Sequence, residues 1–413
     1  MGVVQHALGR WVDPVDAWCA LLADEPHAFW LDSNSGTGVS YLGAGTPTST
    51  LPSTPLTGAG DGFELGWVGW IPYEYREVTM GEPVPSAGEP MLIDADWALA
   101  FDHAAGTVHV LVHDAGRVAG IVAALDGVRE RRRVGVASGA TATWAHDDAT
   151  YLDLVRACQA AIVEGDAYQL CLTTSAEVTG VFDPLETYLA LRATSPSHHG
   201  ALIVSGDAAL LSASPELFLS VSSAGLVSSK PIKGTRGRSH DPVADAALAK
   251  ELVESEKERA ENLMIVDLMR NDIGRVSEVG SVMVPSLLQV ESYANVHQLV
   301  STVTGRLAGG LTATDAVTAT FPAGSMTGAP KLSATRILAT LEARPRGIYS
   351  GAFGYFSRNG SVDLAMVIRS IVIEPERATV GAGGGITALS VAEEELAEVK
   401  LKAEPLLRVL GVV

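Results

Sequence analysis

The sequence predicts a mixed α/β fold of the α+β class, built around a large core. The chain has 413 residues, of which 47% are hydrophobic and 19% are charged, which suffices for one large domain or two moderate ones. Its 42 glycines and its aromatic content of 6% fit a protein rich in loops. Short strand-like runs and longer helical patterns both occur along the chain, so both kinds of element are expected.

The first third of the chain is predicted to hold mostly strands and loops. Strand-like runs occupy Ala28–Leu31, Phe63–Trp70 and Val108–Val112. The second run alternates large residues with small or polar ones, as a strand packed on one face does. The stretch 36–60 is rich in Gly, Ser, Thr and Pro and is predicted to be a loop.

The main internal boundary is predicted near residue 143. Residues 129–133 have the pattern of a helix end, and residues 135–143 have that of a linker. We therefore expect an N-terminal region, 1–143, and a second region, 144–413, packed together as one globular unit.

The second region is predicted to combine helices and strands. One helix begins at Asp148 as its N-cap, and a long helix runs from Pro242 to Asp272 with Gly274 as its C-cap. The other predicted elements are strands at 168–174, 201–205, 209–212, 217–222, 226–229, 350–357, 362–372 and 378–382, a helix opening near Ala329 and Pro330, and a closing helix from Val391 to Leu410.

The charge balance argues against some partners. With 48 acidic and 29 basic residues the net charge is −19, which disfavours nucleic acid and a basic membrane contact. No apolar run approaches the roughly 18 residues of a membrane span, and the first residues lack a signal-peptide pattern. The cysteines, Cys19, Cys158 and Cys171, lie in apolar contexts typical of a reducing compartment, so the cytoplasm is the expected location.

Lys233 is the residue that most directly suggests a chemical function. It lies in a predicted loop, where Gly234 allows a sharp turn or a close approach to a ligand. Lys230, Arg236 and Arg238 add positive charge, which would lower the pKa of Lys233 and favour its free amine. The loop would then bind an anion or present a nucleophile; the alternative is a basic loop exposed to solvent.

Two predicted helices carry carboxylates at helical spacing. Glu254, Glu258 and Glu261 lie along one face of the long helix, and Glu395 and Glu398 lie three residues apart on the closing helix. If these faces converge, they form an oxygen-rich site that suits Mg²⁺. If they do not converge, they are two solvated acidic faces.

Three further features are candidates for binding or catalysis. The glycine run 381–386 is predicted to be a loop whose backbone N–H groups hold an anion, or else a merely flexible loop. Glu216, at a strand junction, is a candidate general acid if burial raises its pKa, and otherwise a structural or solvated residue. Arg369 lies in an apolar strand pattern and needs an anionic partner, which is a substrate carboxylate or a structural acid.

Together these motifs resemble those of the chorismate-utilising enzymes, which include anthranilate synthase component I, aminodeoxychorismate synthase component I, isochorismate synthase and salicylate synthase. The matches keep the family's order across the last two thirds of the chain, with weaker ones at WLDS (30–33) and ELGWVGWIPYEY (64–75). The main matching stretches are GDAYQLCLTT (165–174), SASPELFL (212–219), KPIKGTRGR (230–238), ESEKERAENLMIVDLMRNDIGRV (254–276), VHQLVSTVTG (296–305), FPAGSMTGAPK (321–331), GIYSGAFGYFS (347–357), AMVIRSI (365–371) and GAGGGIT (381–387).

The resemblance implies an anthranilate-synthase-like fold, in which two large, mostly antiparallel sheets form a central sandwich with helices outside. It makes 1–143 an N-terminal anthranilate-synthase-type region and 144–413 a chorismate-binding catalytic region. Lys233 follows Pro-Ile where aminodeoxychorismate synthases typically carry Lys and the other branches carry Ala. The implied branch is therefore that of para-aminobenzoate and folate biosynthesis.

The resemblance also implies a role for each site residue. Lys233 and Glu216 match the covalent nucleophile and the general acid, while Gln169 stands where water-adding relatives carry a lysine base. The implied Mg²⁺ ligands are Glu261 and Glu398, directly, and Glu258 and Glu395, through water. The implied substrate-binding residues are Arg369, Tyr349, Gly383, Gly384, Gly385, Lys402, Gly234 and Thr235.

The implied reaction is amination of chorismate at ring carbon 4, giving 4-amino-4-deoxychorismate. The implied partners are ammonia, a glutamine amidotransferase subunit (component II) that supplies it, and tryptophan in the N-terminal region. Gln298, where many relatives have His, favours a product that keeps its enolpyruvyl group. The alternatives are anthranilate synthase component I or another chorismate-converting enzyme, and a non-catalytic relative that binds an aromatic amino acid or chorismate.

Overall fold

The fold is known from a computed structural model, which describes residues 2–33, 38–58, 60–84, 86, 88–127, 139–293 and 296–412. Its strands are β1 Val4–Ala7, β2 His27–Asp32, β3 Val39–Thr48, β4 Gly66–Ile71, β5 Met91–Asp102, β6 Thr107–Val112, β7 Ala142–Trp144, β8 Gln169–Thr179, β9 His199–Ser205, β10 Ala208–Ser214, β11 Leu217–Val221, β12 Leu226–Ser229, β13 Ile232–Gly237, β14 Met283–Ser292, β15 Val296–Arg306, β16 Gly328–Ala329, β17 Ala352–Ser357, β18 Val362–Met366, β19 Ser370–Glu374 and β20 Arg377–Ile386. Its α-helices are α1 Pro14–Leu21, α2 Arg76–Met80, α3 Val118–Leu125, α4 Asp148–Val163, α5 Pro184–Thr194, α6 Pro242–Glu254, α7 Glu256–Gly274, α8 Ala313–Thr320, α9 Lys331–Glu342 and α10 Ala392–Val409.

The strands form two large antiparallel sheets. The first follows the order β1-β6-β5-β3-β2-β9-β10-β19-β20-β8, and β7 and β16 also pair with β8. The second follows the order β4-β17-β18-β11-β12-β15, and β13 and β14 also pair with β15. The two sheets are joined where β4 pairs with β5.

Hydrophobic side chains pack between the sheets and on their outer faces. Phe29 and Leu210 of the first sheet share one buried cluster with Val68 and Phe353 of the second. The outer face of the first sheet is covered by α1, α3, α4, α5, α9 and α10. Helices α7 and α8 pack on the second sheet. The predicted α+β sandwich with helices outside is therefore confirmed.

Several predicted boundaries are wrong. The predicted loop at 36–60 contains β3, which is held by pairing with β2 and β5 on its two edges despite its small and polar residues. The N-cap of α4 is Asp147, not Asp148, because the Asp147 carboxylate accepts the Thr150 N–H at 2.8 Å. The predicted strand 362–372 is two strands, β18 and β19.

The predicted long helix is two helices, α6 and α7, that meet at Ser255. Ser255 has extended backbone angles, φ −62° and ψ 111°, so it ends the first helix. Its hydroxyl accepts the Glu258 N–H at 3.4 Å and so caps the second. Gly274 is the last residue of α7, and the C-cap is Arg275.

The two predicted regions share both sheets. Strand β2 of the first region pairs with β9, and β4 pairs with β17. The predicted helix end at 129–133 and the first part of the linker, to residue 138, lie outside the described residues, so the boundary at 143 stays a prediction. Among the described residues, no helix combines the length and apolar character that crossing a membrane requires.

Candidate active site

All fourteen predicted site residues line one cavity of about 480 Å³. They come from both sheets and from two helices, so the fold brings together residues that are far apart in the sequence. The contributing segments are the β10–β11 junction (Glu216), β13 (Lys233, Gly234, Thr235), α7 (Glu258, Glu261), the turn before β17 (Tyr349), the β18–β19 junction (Arg369), β20 (Gly383, Gly384, Gly385) and α10 (Glu395, Glu398, Lys402).

Lys233 lies in a strand, β13, and not in the predicted loop. The pairing of β13 with β15 shifts register between Ile232 and Thr235, which places Lys233 and Gly234 in a bulge. Gly234 has φ +87°, and a Cβ there would lie 2.9 Å from a carboxylate oxygen of Glu258. The bulge therefore requires glycine, and bulges of this kind re-aim the neighbouring side chain.

The ammonium of Lys233 lies deep in the cavity. A Cβ placed on Gly385 would lie 3.4 Å from Lys233 Nζ and 2.2 Å from Gln169 Nε2. Gln169 is buried, and its Oε1 has no hydrogen-bond partner among the residues that the structure describes. These close approaches explain why the strand that faces Lys233 carries glycine.

The prediction that neighbouring cations lower the pKa of Lys233 is wrong. Each of the three is held by an acidic side chain: Lys230 by Glu291 at 2.9 Å, Arg236 by Glu251 at 3.2 Å, and Arg238 by Asp245 at 2.8 Å. Their charge is therefore largely neutralised.

Acidic side chains set the pKa of Lys233 instead. Burial disfavours its charged form, but Glu261 and Glu216 are among the acidic groups that outweigh burial, so its pKa is raised. The raised pKa favours the ammonium form of Lys233.

Glu216 has the environment that the sequence hypothesis required of a general acid. It is 8% exposed, and its burial raises the pKa of its carboxyl to about 6, although Lys233 and the Ser325 hydroxyl oppose the rise. A carboxyl group with such a pKa is protonated in a substantial fraction near neutral pH, so it can donate a proton.

The four candidate metal-binding carboxylates lie on α7 and α10, and three of them contact a basic side chain. Lys402 lies 2.6 Å from Glu398, Lys257 lies 3.3 Å from Glu395, and Arg236 lies 3.4 Å from Glu258. The pKa of Glu261 is raised because the residue is buried. Across the described ranges, no three acidic, His or Cys side chains are close enough as they stand to hold a metal ion.

The residues present nevertheless fit a hard divalent cation. Their donors are carboxylate oxygens, which Mg²⁺ prefers. A Cβ on Gly384 would lie 2.9 Å from Glu395 Oε2, so glycine leaves space beside that oxygen. Lysine ammonium groups now neutralise Glu395 and Glu398, which shows that these carboxylates attract cations.

The glycine run is a strand and not the predicted loop. Gly381–Ile386 belongs to β20 and pairs with β8, whereas β19 pairs only with Arg377–Val380 of this fully described strand. One edge of the run is thus free of β19. A Cβ on Gly381 would lie 2.1 Å from the Tyr349 ring, so glycine is required for that ring to enter the site.

Arg369 lies between two strands and not within one. Its φ is +51°, in the left-handed region that non-glycine residues rarely adopt. Its guanidinium donates to the Lys402 carbonyl at 3.4 Å, and among the described residues it forms no salt bridge. Burial lowers its pKa. A buried guanidinium without an acidic partner suits an anionic ligand.

Several cavity residues were missed by the sequence hypothesis. Lys257, Arg236 and Ser325 line the cavity, and so does Gln298, to which no catalytic role was given. For Lys257, the sequence offers one clue to its place in the cavity, which is that it directly precedes Glu258. The other missed residues reach the cavity through contacts between strands and helices, which the sequence does not reveal.

A second cavity of about 520 Å³ adjoins the first. Pro215, Thr235, Gln298 and Arg369 line both cavities. The second cavity has more apolar lining, including Ala213 and residues of α5 and α10.

A third cavity of about 280 Å³ is lined by Leu31, Asp32 and Ser33 of the WLDS stretch. Trp30 is fully buried, with its ring 5.3 Å from that of Tyr188. The tryptophan site expected in this region stays a prediction.

Comparisons with known proteins agree with the fold and the motifs. A family model described as chorismate binding enzyme matches residues 39–408. The chain is 41% identical, over 97% of its length, to an aminodeoxychorismate synthase of Streptomyces griseus, and it spans 63% of that protein. It is 37% identical, over 94% of its length, to an anthranilate synthase component 1 of Haloarcula marismortui, of which 76% is covered. The crystal structure of anthranilate synthase component I from Streptococcus pneumoniae TIGR4 matches with a TM-score of 0.78 and 28% identity, over 98% of this chain and 92% of that one.

Proposed function

The chain belongs to the chorismate-binding enzyme family, and we propose that within it the chain is the chorismate-aminating component of an aminodeoxychorismate synthase. This transferase would form 4-amino-4-deoxychorismate for para-aminobenzoate and folate biosynthesis. The observation that carries the proposal is Lys233, whose ammonium lies in the cavity with Glu216 and Glu261. The similarity to the Streptomyces griseus protein supports the same activity.

The cavity suits a substrate with two carboxylates. Arg369, beside Tyr349, is a buried cation without an acidic partner among the described residues, and it would hold the enolpyruvyl carboxylate. The ring carboxylate would lie near the free edge of the β20 glycines, with Lys402 beside it. These two anchors would place the ring between Lys233 and Glu216.

Mg²⁺ would be held directly by Glu261 and Glu398, and through water by Glu258 and Glu395. When bound, it supplies positive charge that orients the ring carboxylate. Glu261 and Glu398 would then stabilise the ammonium of Lys233 less, which would favour the free amine of the lysine.

In the first half-reaction, the free amine of Lys233 forms a bond to ring carbon 2. Both ring double bonds shift by one position, and the bond between carbon 4 and its hydroxyl oxygen breaks. Glu216 donates its proton to that oxygen, which leaves as water, and the new nitrogen substituent loses a proton to solvent. The covalent intermediate divides one difficult substitution into two easier ones.

In the second half-reaction, ammonia forms a bond to carbon 4 and both ring double bonds shift back. The bond between Lys233 and carbon 2 breaks, and the lysine nitrogen regains a proton. Gln169, close to Lys233, has no basic nitrogen and cannot activate water. Amination is thereby favoured over hydroxylation.

The second cavity offers ammonia a route to the site. It reaches Pro215, next to Glu216, through apolar lining that suits a small neutral molecule. A glutamine amidotransferase partner would supply the ammonia. The buried free cysteines Cys158 and Cys171 fit the expected cytoplasmic location.

The test is a product assay. The purified chain is incubated with chorismate, Mg²⁺ and an ammonium salt, and the products are separated by chromatography. We expect 4-amino-4-deoxychorismate. Anthranilate with pyruvate would instead identify an anthranilate synthase component, which the similarity to the Haloarcula marismortui protein makes the second candidate.

A further inference from the structure

Lys257 lies beside the four candidate metal-binding carboxylates, which we call the carboxylate cluster, and it has no role in the proposed chemistry. The cluster consists of Glu258, Glu261, Glu395 and Glu398. Its Nζ is 3.3 Å from Glu395 Oε1, and its side chain is 42% exposed whereas that of Glu395 is 3% exposed. Within the described part of the chain, the Glu395 carboxylate is the one hydrogen-bond or ion-pair partner of the Lys257 ammonium. Lys257 thus connects a buried acid to the solvent-facing side of the cavity.

The other two cations of the cluster each have an anchor outside it. Lys402 donates to the Gly383 carbonyl at 2.8 Å, and Arg236 contacts Glu251 at 3.2 Å and the Thr235 carbonyl at 3.0 Å. If their contacts with the carboxylate cluster were lost, Lys402 and Arg236 would each keep these other hydrogen bonds. Lys257 has no such tether among the described residues.

Glu395 has a second hydrogen-bond partner besides Lys257. The Ser390 hydroxyl donates to the same oxygen, Oε1, at 2.7 Å. The other oxygen, Oε2, lies beside Gly384, where the glycine leaves room. A divalent cation among these carboxylates would take over the negative charge that now attracts the ammonium, and the two cations would repel each other.

We propose that Lys257 is the resident counterion of the carboxylate cluster, and that it leaves Glu395 for solvent when Mg²⁺ binds. Lys257 is a positioning residue, which keeps the buried carboxylate neutralised until the metal arrives. The inference rests on the Mg²⁺ site of the proposed function.

The first test measures the chemical accessibility of Lys257. The protein is acetylated with a limiting amount of an N-hydroxysuccinimide ester, with and without Mg²⁺, and modification of each lysine is quantified by mass spectrometry. We expect Mg²⁺ to accelerate modification of Lys257 roughly two- to fivefold, the range of a half-exposed ion pair. Lys250, which pairs with Glu254 at 3.6 Å outside the cavity, is the control and should not change. An unchanged or slower reaction at Lys257 would overturn the proposal.

The second test is calorimetric titration of the protein with Mg²⁺ in the absence of chorismate. Lys257→Met should bind Mg²⁺ about two- to fivefold more tightly than the wild type, because no ammonium competes. The gain should vanish in a Glu395→Gln background, which lacks the partner charge. Weaker or equal binding by Lys257→Met would contradict the inference alone. Absence of Mg²⁺ binding to the wild type would defeat both the proposed metal site and the inference.

Discussion

At the residue scale, burial and neighbouring charges set the protonation of the cavity side chains. In the proposed mechanism Lys233 and Glu216 have opposite requirements, because the lysine would have to lose a proton to attack and the carboxyl would have to keep one to donate. Burial raises the pKa of Glu216 to about 6, which favours its acidic form. The pKa of Lys233 is also raised, so its amine must be freed by whatever neutralises the carboxylates around it.

The first prediction concerns Glu216 and pH. Because the general acid acts when protonated, its contribution is complete well below pH 6, is halved near pH 6 and is lost as pH rises through its pKa of about 6. Glu216→Gln should lower kcat by about 100- to 10,000-fold. The profile of kcat/KM against pH should lose the descending limb that Glu216 causes.

Glu177→Gln is the control for this prediction, because Glu177 is half-exposed on β8 and does not line the cavity. Its pH profile should match that of the wild type. A Glu216→Gln variant with wild-type kcat would exclude Glu216 as the acid.

The sequence could predict which residues share one cavity better than it could predict their electrostatics. The carboxylate spacing on the two helices depends on local geometry, so Glu258 and Glu261 could be predicted to share a face. The partners of Lys230 and Arg236 could not be predicted, since Glu291 lies 61 residues from the first and Glu251 lies 15 from the second. The direction of the pKa shift of Lys233 depends on such contacts, and that prediction was wrong.

At the element scale, the break between α6 and α7 positions two of the candidate metal-binding carboxylates, Glu258 and Glu261. Both helices have sequences that favour a continuous helix, and the chain around Ser255 contains no glycine or proline to mark a break. For the same reason the bulge in β13 could not be predicted, because it depends on pairing with β15. Nonlocal contacts thus decide where these elements begin and end.

The second prediction concerns the cap of α7. Ser255→Ala removes the hydroxyl that accepts the Glu258 N–H and should lower the free energy of unfolding by about 1 kcal/mol. Because Glu258 lies in that first turn, Mg²⁺ binding should also weaken. Urea denaturation and calorimetric titration with Mg²⁺ measure the two effects.

Asp147→Ala provides the matched comparison, because Asp147 caps α4 in the same way and does not line the cavity. It should destabilise the protein without changing Mg²⁺ affinity. Equal Mg²⁺ affinities for Ser255→Ala and the wild type would show that the Ser255 cap does not position Glu258 for Mg²⁺ binding.

At the scale of the whole molecule, the two predicted regions are joined by shared sheets and by a buried network. The Glu74 carboxylate accepts the backbone N–H groups of Arg346 and Gly347, at 2.8 and 2.9 Å. The Arg346 guanidinium, 6% exposed as a residue, contacts Glu342 at 2.7 Å and donates to the Cys171 carbonyl at 2.9 Å. These contacts tie the first region to the strand that pairs with the β20 glycines.

The third prediction is that the two regions unfold together. Six of the seven tryptophans lie in the first region, and the seventh, Trp144, is the first residue of the second. Tryptophan fluorescence therefore reports mainly on the first region, whereas far-ultraviolet circular dichroism reports on the whole chain. In urea the two signals should change at the same midpoint. Separate midpoints would show that the regions are independent domains.

A variant of Arg346 tests the cause of this coupling. Arg346→Met leaves the buried Glu342 without its cationic partner and should lower the free energy of unfolding by about 3–5 kcal/mol, in both signals equally. Arg336→Met removes an exposed ion pair with Glu82 and should change little.

The central claim is that Lys233 forms a covalent bond to chorismate, and mass spectrometry of the intact protein tests it most directly. The chain is mixed with chorismate and Mg²⁺ without ammonia. We predict a mass increase equal to chorismate less one water, mapped to Lys233, absent from Lys233→Ala and lost when ammonia is added. Formation of 4-amino-4-deoxychorismate by Lys233→Ala at the wild-type rate, with no adduct on the wild type, would contradict the account.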